Sequence, residues 1–97
     1  MENKIYEFFK ELKFNDGEIE NLLEIAPAIA ETSVNDIVEN MSVVVRFGFP
    51  ADDIGSLIAL NPAFLCRNNE DLIIDLIELS KTTDDIEEAL KNNPYLI

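Results

Sequence analysis

The segment Phe47-Gly48-Phe49-Pro50-Ala51-Asp52-Asp53-Ile54-Gly55-Ser56-Leu57-Ile58-Ala59-Leu60-Asn61-Pro62-Ala63-Phe64-Leu65 encodes a helix stop, a helix and a second stop. Ile54, Leu57 and Ile58 stand at i, i+3 and i+4, which places them on one helical face. Asp52 and Asp53 precede them, in the first turn, where carboxylates favour the positive end of the helix dipole. Pro62 disfavours α geometry at Asn61 and ends the helix there. Gly48 is placed to close the preceding helix with a left-handed residue. Phe64-Leu65 predicts a short helical turn that tucks two apolar side chains back under the unit. Gly55 weakens its helix and predicts a close helix contact.

The same order of residues occurs on either side. Residues 14–29, 49–64 and 81–96 align without gaps: Ile19, Ile54 and Ile86 correspond, as do Pro27, Pro62 and Pro94, at offsets of 35 and 32 residues. That spacing is the size of a two-helix repeat unit. Ile19, Leu22 and Leu23 repeat the apolar face in the first segment, and Ile86, Ala89 and Leu90 in the third. Asp84 and Asp85 repeat the acidic helix start. Apolar pairs follow each proline: Ile29-Ala30, Phe64-Leu65 and Leu96-Ile97.

Second helices fill the intervals. Ser33 is an N-cap with Asp36 three residues later, close to a capping box. Val34, Ile37, Val38, Met41, Val44 and Val45 continue that helix as an apolar stripe. Asn68 or Asn69 caps the next, whose stripe is Leu72, Ile73, Leu76, Ile77 and Leu79. Residues 3–13 supply a further helix, with Ile5, Phe8, Phe9 and Leu12 apolar. Nothing reads as a strand, because Val43-Val44-Val45 lies inside a longer 3.6-periodic stretch. The expected fold is all-α: a short right-handed, solenoid-like array of about two and a half units with an N-terminal capping helix. It forms one domain over residues 1–97, divided into a capping helix (1–13), repeat 1 (14–48), repeat 2 (49–80) and partial repeat 3 (81–97).

The stretch Phe47–Leu65 resembles a repeat of the mitochondrial transcription termination factor (mTERF) family, which reads as a Gly-hydrophobic start, an acidic helix, an Asn-Pro and a hydrophobic pair. Asn93-Pro94-Tyr95-Leu96-Ile97 repeats the ending, and Ala26-Pro27-Ala28-Ile29 is a copy with Ala in place of Asn. The resemblance covers about residues 14–97. It implies a solenoid of three-helix units, two long and one short. Family members bind nucleic acid on a long, positively charged concave surface. This chain departs from that pattern in unit number and in the sign of its charge.

Seven Lys and Arg face twenty Asp and Glu, a formal net charge of −13 over 97 residues. Such a surface repels phosphate backbones and anionic membranes and attracts basic proteins. Arg46, Arg67, Lys81 and Lys91 are too scattered to form a phosphate track. There is no histidine, which removes Ser-His, Cys-His and His-metal chemistry. Cys66 is the only cysteine, so no internal disulfide forms; beside Phe64-Leu65 it reads as core filler. Asp52-Asp53 and Asp84-Asp85 read as helix starts, not acid–base pairs, because neighbouring helical residues point apart. Asn15-Asp16-Gly17-Glu18 reads as a helix cap, not a calcium loop. Neither a secretory signal after Met1-Glu2-Asn3-Lys4 nor a membrane-length apolar run is visible, so a cytoplasmic location is expected.

These features point to a non-enzymatic protein-interaction module without cofactor or metal. Its expected partner is a protein, of basic character, or a second copy of the chain. The alternatives are an acidic inhibitor or nucleic-acid mimic acting on a basic nucleic-acid-handling protein, and nucleic-acid binding as the mTERF resemblance implies. The expected interaction surface comprises Tyr95, Leu96 and Ile97 with Asp52, Asp53, Asp84, Asp85, Glu87 and Glu88.

Overall fold

The structure, a computed structural model, describes residues 4–97; the signal-peptide reading and the first residue of the expected 3–13 helix involve residues 1–3, outside the described residues. Six α-helices and four 3-10 turns make up the fold, with no strand among the described residues. The molecule is elongated, 44 × 23 × 19 Å.

Helix α1 (Lys4–Glu11) buries Ile5 and Phe9, one turn apart. Phe9 makes edge-to-face contacts with Phe8 and Phe14 at 5.4 and 5.8 Å between ring centres. The helix closes in a Schellman motif. Phe14 N–H donates to Phe9 O and Lys13 N–H to Lys10 O, with Lys13 at a φ of 75°.

Helix α2 (Asp16–Ile25) starts with a complete capping box. Glu18 N–H donates to the Asn15 side chain at 2.8 Å and Asn15 N–H to the Glu18 carboxylate at 2.9 Å. Helix α3 (Val34–Arg46) is capped by Ser33, which accepts from Asp36 N–H at 3.1 Å. It ends in a second Schellman motif, Phe49 N–H to Val44 O and Gly48 N–H to Val45 O, with Gly48 at a φ of 121°. The left-handed residue expected at Gly48 is present.

Helices α4 (Ile54–Leu60), α5 (Asn69–Ser80) and α6 (Ile86–Asn92) complete the chain. Asn68, not Asn69, caps α5 by accepting from Asp71 N–H. After α2, α4 and α6 the backbone takes the same course. Ala26, Asn61 and Asn93 adopt φ/ψ of −131/76°, −147/75° and −147/90°. A proline then opens a 3-10 turn: Pro27–Glu31, Pro62–Cys66 and Pro94–Leu96. The helix stops and short turns read from Pro27, Pro62 and Pro94 are therefore all present.

Three details differ from the sequence reading. Asp52 and Asp53 lie in a 3-10 turn, Ala51–Asp53, that leads into α4 instead of in the α-helix itself. Gly55 marks no close packing, since a Cβ built there meets nothing within 4 Å. The buried face of α3 is Ile37, Asn40, Val43 and Val44, whereas Val38 is exposed.

Asn40 organises that face. Its Nδ2 donates to the carbonyls of Phe64, Leu65 and Arg67 at 3.0, 3.1 and 2.9 Å, and its Oδ1 accepts from Asn69 Nδ2 at 2.9 Å. The acceptors lie at the C-terminal end of the 3-10 turn Pro62–Cys66, where helix carbonyls run out of intrahelical partners. Two further ties hold the last turn: Asn61 Nδ2 donates to Pro94 O, at its start, at 2.8 Å, and Arg67 Nη1 to Ile97 O, just past its end, at 2.6 Å. Around them the core is continuous, from Phe9 and Ile19 through Ile29, Val44 and Phe64 to Leu76 and Leu90.

Asn40→Ala strands buried carbonyls and is expected to lower unfolding free energy by about 1–3 kcal/mol, read as a lower urea midpoint. Gly55→Ala, entering open space on a helix, is expected to raise it by about 0.5 kcal/mol in the same titration.

Candidate interaction surface

Each of the nine expected surface residues has a definite place. Asp53 and Glu87 converge on Lys91, whose ammonium donates to Asp53 Oδ2 at 3.1 Å and to Glu87 Oε2 at 2.6 Å. The first bond joins the start of α4 to α6; the second is an i,i+4 pair within α6. Both carboxylates hold the ammonium above its ordinary pKa of 10.5, Glu87 the more strongly. Asp85 caps α6 by accepting from Glu88 N–H at 3.0 Å. Asp52, Asp84, Asp85 and Glu88 are exposed and pair with no Lys or Arg among the described residues.

The C-terminal apolar group divides. Tyr95 is 73% exposed and Leu96 42%, but Ile97 is 7% exposed and belongs to the core. Ile97 is thereby removed from the expected interaction surface. Its carbonyl is held by Arg67, whose Nη2 also pairs with Asp75 at 2.7 Å, and the turn before it is held by Asn61. These ties pull the last turn onto the body of the protein.

The acidic surface is only partly compensated. Lys10, Arg46, Arg67, Lys81 and Lys91 each lie within 3.6 Å of a carboxylate. Lys10 holds the Asp16 carboxyl below its ordinary range through a 2.7 Å bond. Among the described residues these pairs engage six acidic side chains, a minority, so the surface stays strongly negative. No group of three acidic or cysteine side chains among the described residues is arranged to hold a metal ion. Cys66 is half-buried; its thiol donates to Ala63 O at 3.3 Å, and burial pushes its pKa up, away from the reactive thiolate.

Open grooves cross the surface of the described residues. One, of about 950 Å³, runs between α1 and the start of α3 over Ile5, Phe8, Ala30 and Val34, with Glu7 and Glu11 beside it. Another, of about 440 Å³, lies between the starts of α3 and α5 and is lined by polar groups including Ser33, Asp36, Arg67 and Asn68. No helix among the described residues is long and apolar enough to cross a membrane.

Residues outside the expected surface also stand out. Ile74 is 55% exposed and Ile77 41%, although the stripe of α5 placed Ile77 in the core. Packing instead buries Leu72 and Leu76. The two exposed isoleucines sit at i and i+3, neighbours on the helix surface. No protein-family profile, curated protein or solved structure matches the chain.

Lys91→Met leaves Asp53 and Glu87 facing each other without a cation and is expected to lower the melting temperature at pH 7. Lys91 has a raised folded pKa, so its contribution is fully present below 10.5 and is lost as pH rises through the folded value. The gap between variant and wild type is expected to close over that alkaline window and to shrink with added salt, both read by thermal denaturation.

Proposed function

We propose that the protein is a non-enzymatic interaction module, a short solenoid of helix pairs that binds a protein partner carrying a basic surface. The observation that carries this reading is the excess of uncompensated carboxylates on a scaffold whose apolar core is closed. Asp52, Asp84, Asp85 and Glu88, at the starts of α4 and α6, are exposed and pair with no Lys or Arg among the described residues. Carboxylates displayed on a rigid frame favour fast, salt-sensitive association with positive surfaces. The solenoid reading is supported by the threefold recurrence of helix, proline and 3-10 turn and by the elongated shape. The resemblance to mTERF repeats, carried by Asn61-Pro62 and Asn93-Pro94, enters for the scaffold alone. A net charge of −13 opposes binding to a phosphate backbone.

A second reading gives the same surface a narrower use: the carboxylates stand in for phosphates and occupy the basic groove of a nucleic-acid-handling protein. The spread of acidic residues over both halves of the chain, ten in residues 1–47 and ten in 48–97, favours it. The two readings part on whether nucleic acid competes for the partner.

Affinity capture from the source cell tests the proposal, with washes at about 50 and 300 mM salt. Retention of a basic protein at the lower salt and its release at the higher is the expected result. Retention of only neutral or acidic proteins, unchanged by salt, would contradict it. Release of the captured protein by added nucleic acid selects the mimic reading.

A further inference from the structure

Helix α5, Asn69–Ser80, carries four carboxylates, Glu70, Asp71, Asp75 and Glu78, and no basic residue. Ile74 and Ile77 nonetheless stand out from it into solvent, with Ile73 half-buried beside them. On the helical surface the neighbours of Ile74 are Glu70, Asp71, Ile77 and Glu78, at i−4, i−3, i+3 and i+4. Glu70, Asp71 and Glu78 are all exposed. The face is an apolar ridge inside an acidic border.

The fold does not require that ridge. Counted from their N-caps, Ser33 and Asn68, helices α3 and α5 can be compared position by position. The positions of Ile74 and Ile77 on α5 are those of Glu39 and Ser42 on α3. Glu39 is exposed and pairs with Arg46, as an outward-facing position permits. Two isoleucines at outward positions leave apolar surface in water that a covering partner would bury.

Charge selects the occupant. A second copy laid face to face would bring two acidic borders together, on protomers that each carry −13. A helix with an apolar stripe flanked by Lys and Arg would bury the isoleucines and place its cations against Glu70, Asp71 and Glu78. We propose that the α5 face of Ile73, Ile74 and Ile77 is the seat for a basic amphipathic helix of the partner protein. This inference rests on the basic-partner reading above and names the contact through which it acts.

The test uses the full chain and a synthetic peptide of about 18 residues, roughly 27 Å of helix, with leucines on one face and lysines beside them. A scrambled peptide of the same composition keeps the charge and loses the face. The helical peptide is expected to bind at least about tenfold tighter than the scramble. Ile74→Ser with Ile77→Ser is expected to remove that difference while leaving scramble binding unchanged. Circular dichroism confirms that the double variant is folded. Amide shifts in the wild-type protein, read by NMR during the titration, are expected to concentrate in residues 69–81 and give the same answer without a variant. Equal binding of the two peptides, undiminished binding to the double variant, or shifts spread over every acidic helix would overturn the seat and leave the basic-partner reading standing. Failure of both peptides to bind at about 50 mM salt would overturn both.

Discussion

The amide of Asn40 shares two N–H groups among three carbonyls at the end of a 3-10 turn, and the rest of the fold is arranged around that contact. The turns opened by Pro62 and Pro94 create the difficulty the ties resolve. A short turn leaves carbonyls pointing into the body of the protein with no N–H ahead of them. Unpaired, each costs about 1–3 kcal/mol. The solution recurs with different chemistry. Counted from the caps, Asn40 of α3 corresponds to Asp75 of α5. Asn40 reaches Leu65 O directly; Asp75 holds Arg67, and Arg67 reaches Ile97 O. Leu65 and Ile97 occupy the same place in successive turns.

This arrangement separates two roles for polar residues. Asn40, Asn61 and Arg67 point their donors inward, Asn40 tying α3 to the turn after α4, and Asn61 and Arg67 tying that region to the last turn. The carboxylates face outward, cap helices or remain in solvent, and among the described residues five basic side chains neutralise a minority of them. An elongated body of 97 residues has little interior. Its charge therefore spreads over the surface while the apolar core stays continuous. Exposed apolar groups on α5 and at Tyr95-Leu96, like those at Ile25, Val38 and Leu60, lie among that charge.

Much of the fold was legible in the sequence because its signals are local. Helix stops at Pro27, Pro62 and Pro94, the Ser33 cap, the Asn15–Glu18 cap and the left-handed Gly48 each depend on a few adjacent residues. What escaped was rotational or long-range. A stripe drawn through Val38 and Ile77 is off by part of a turn, and only packing against neighbouring helices shows that Asn40 faces in and Ile77 out. Asn40 did leave a trace: it stands between Ile37 and Val44, at i+3 and i−4, on a face otherwise apolar. That Ile97 is held inward was not legible, because nothing local marks its bond to Arg67, thirty residues earlier. Of the expected surface, Asp53 and Glu87 meet at Lys91, whereas the seat on α5 required knowing which isoleucines packing leaves uncovered.

The side-chain amide protons of Asn40 report most directly on the claim that carbonyl ties join one helix to the turn beyond the next. In a hydrogen-exchange experiment followed by NMR, they are predicted to exchange about a thousandfold or more slowly than those of exposed Asn92. They are also predicted to show through-space contacts to Phe64 and Leu65. Exchange as fast as at Asn92, without those contacts, would contradict the account and leave the apolar core alone to hold the helices together.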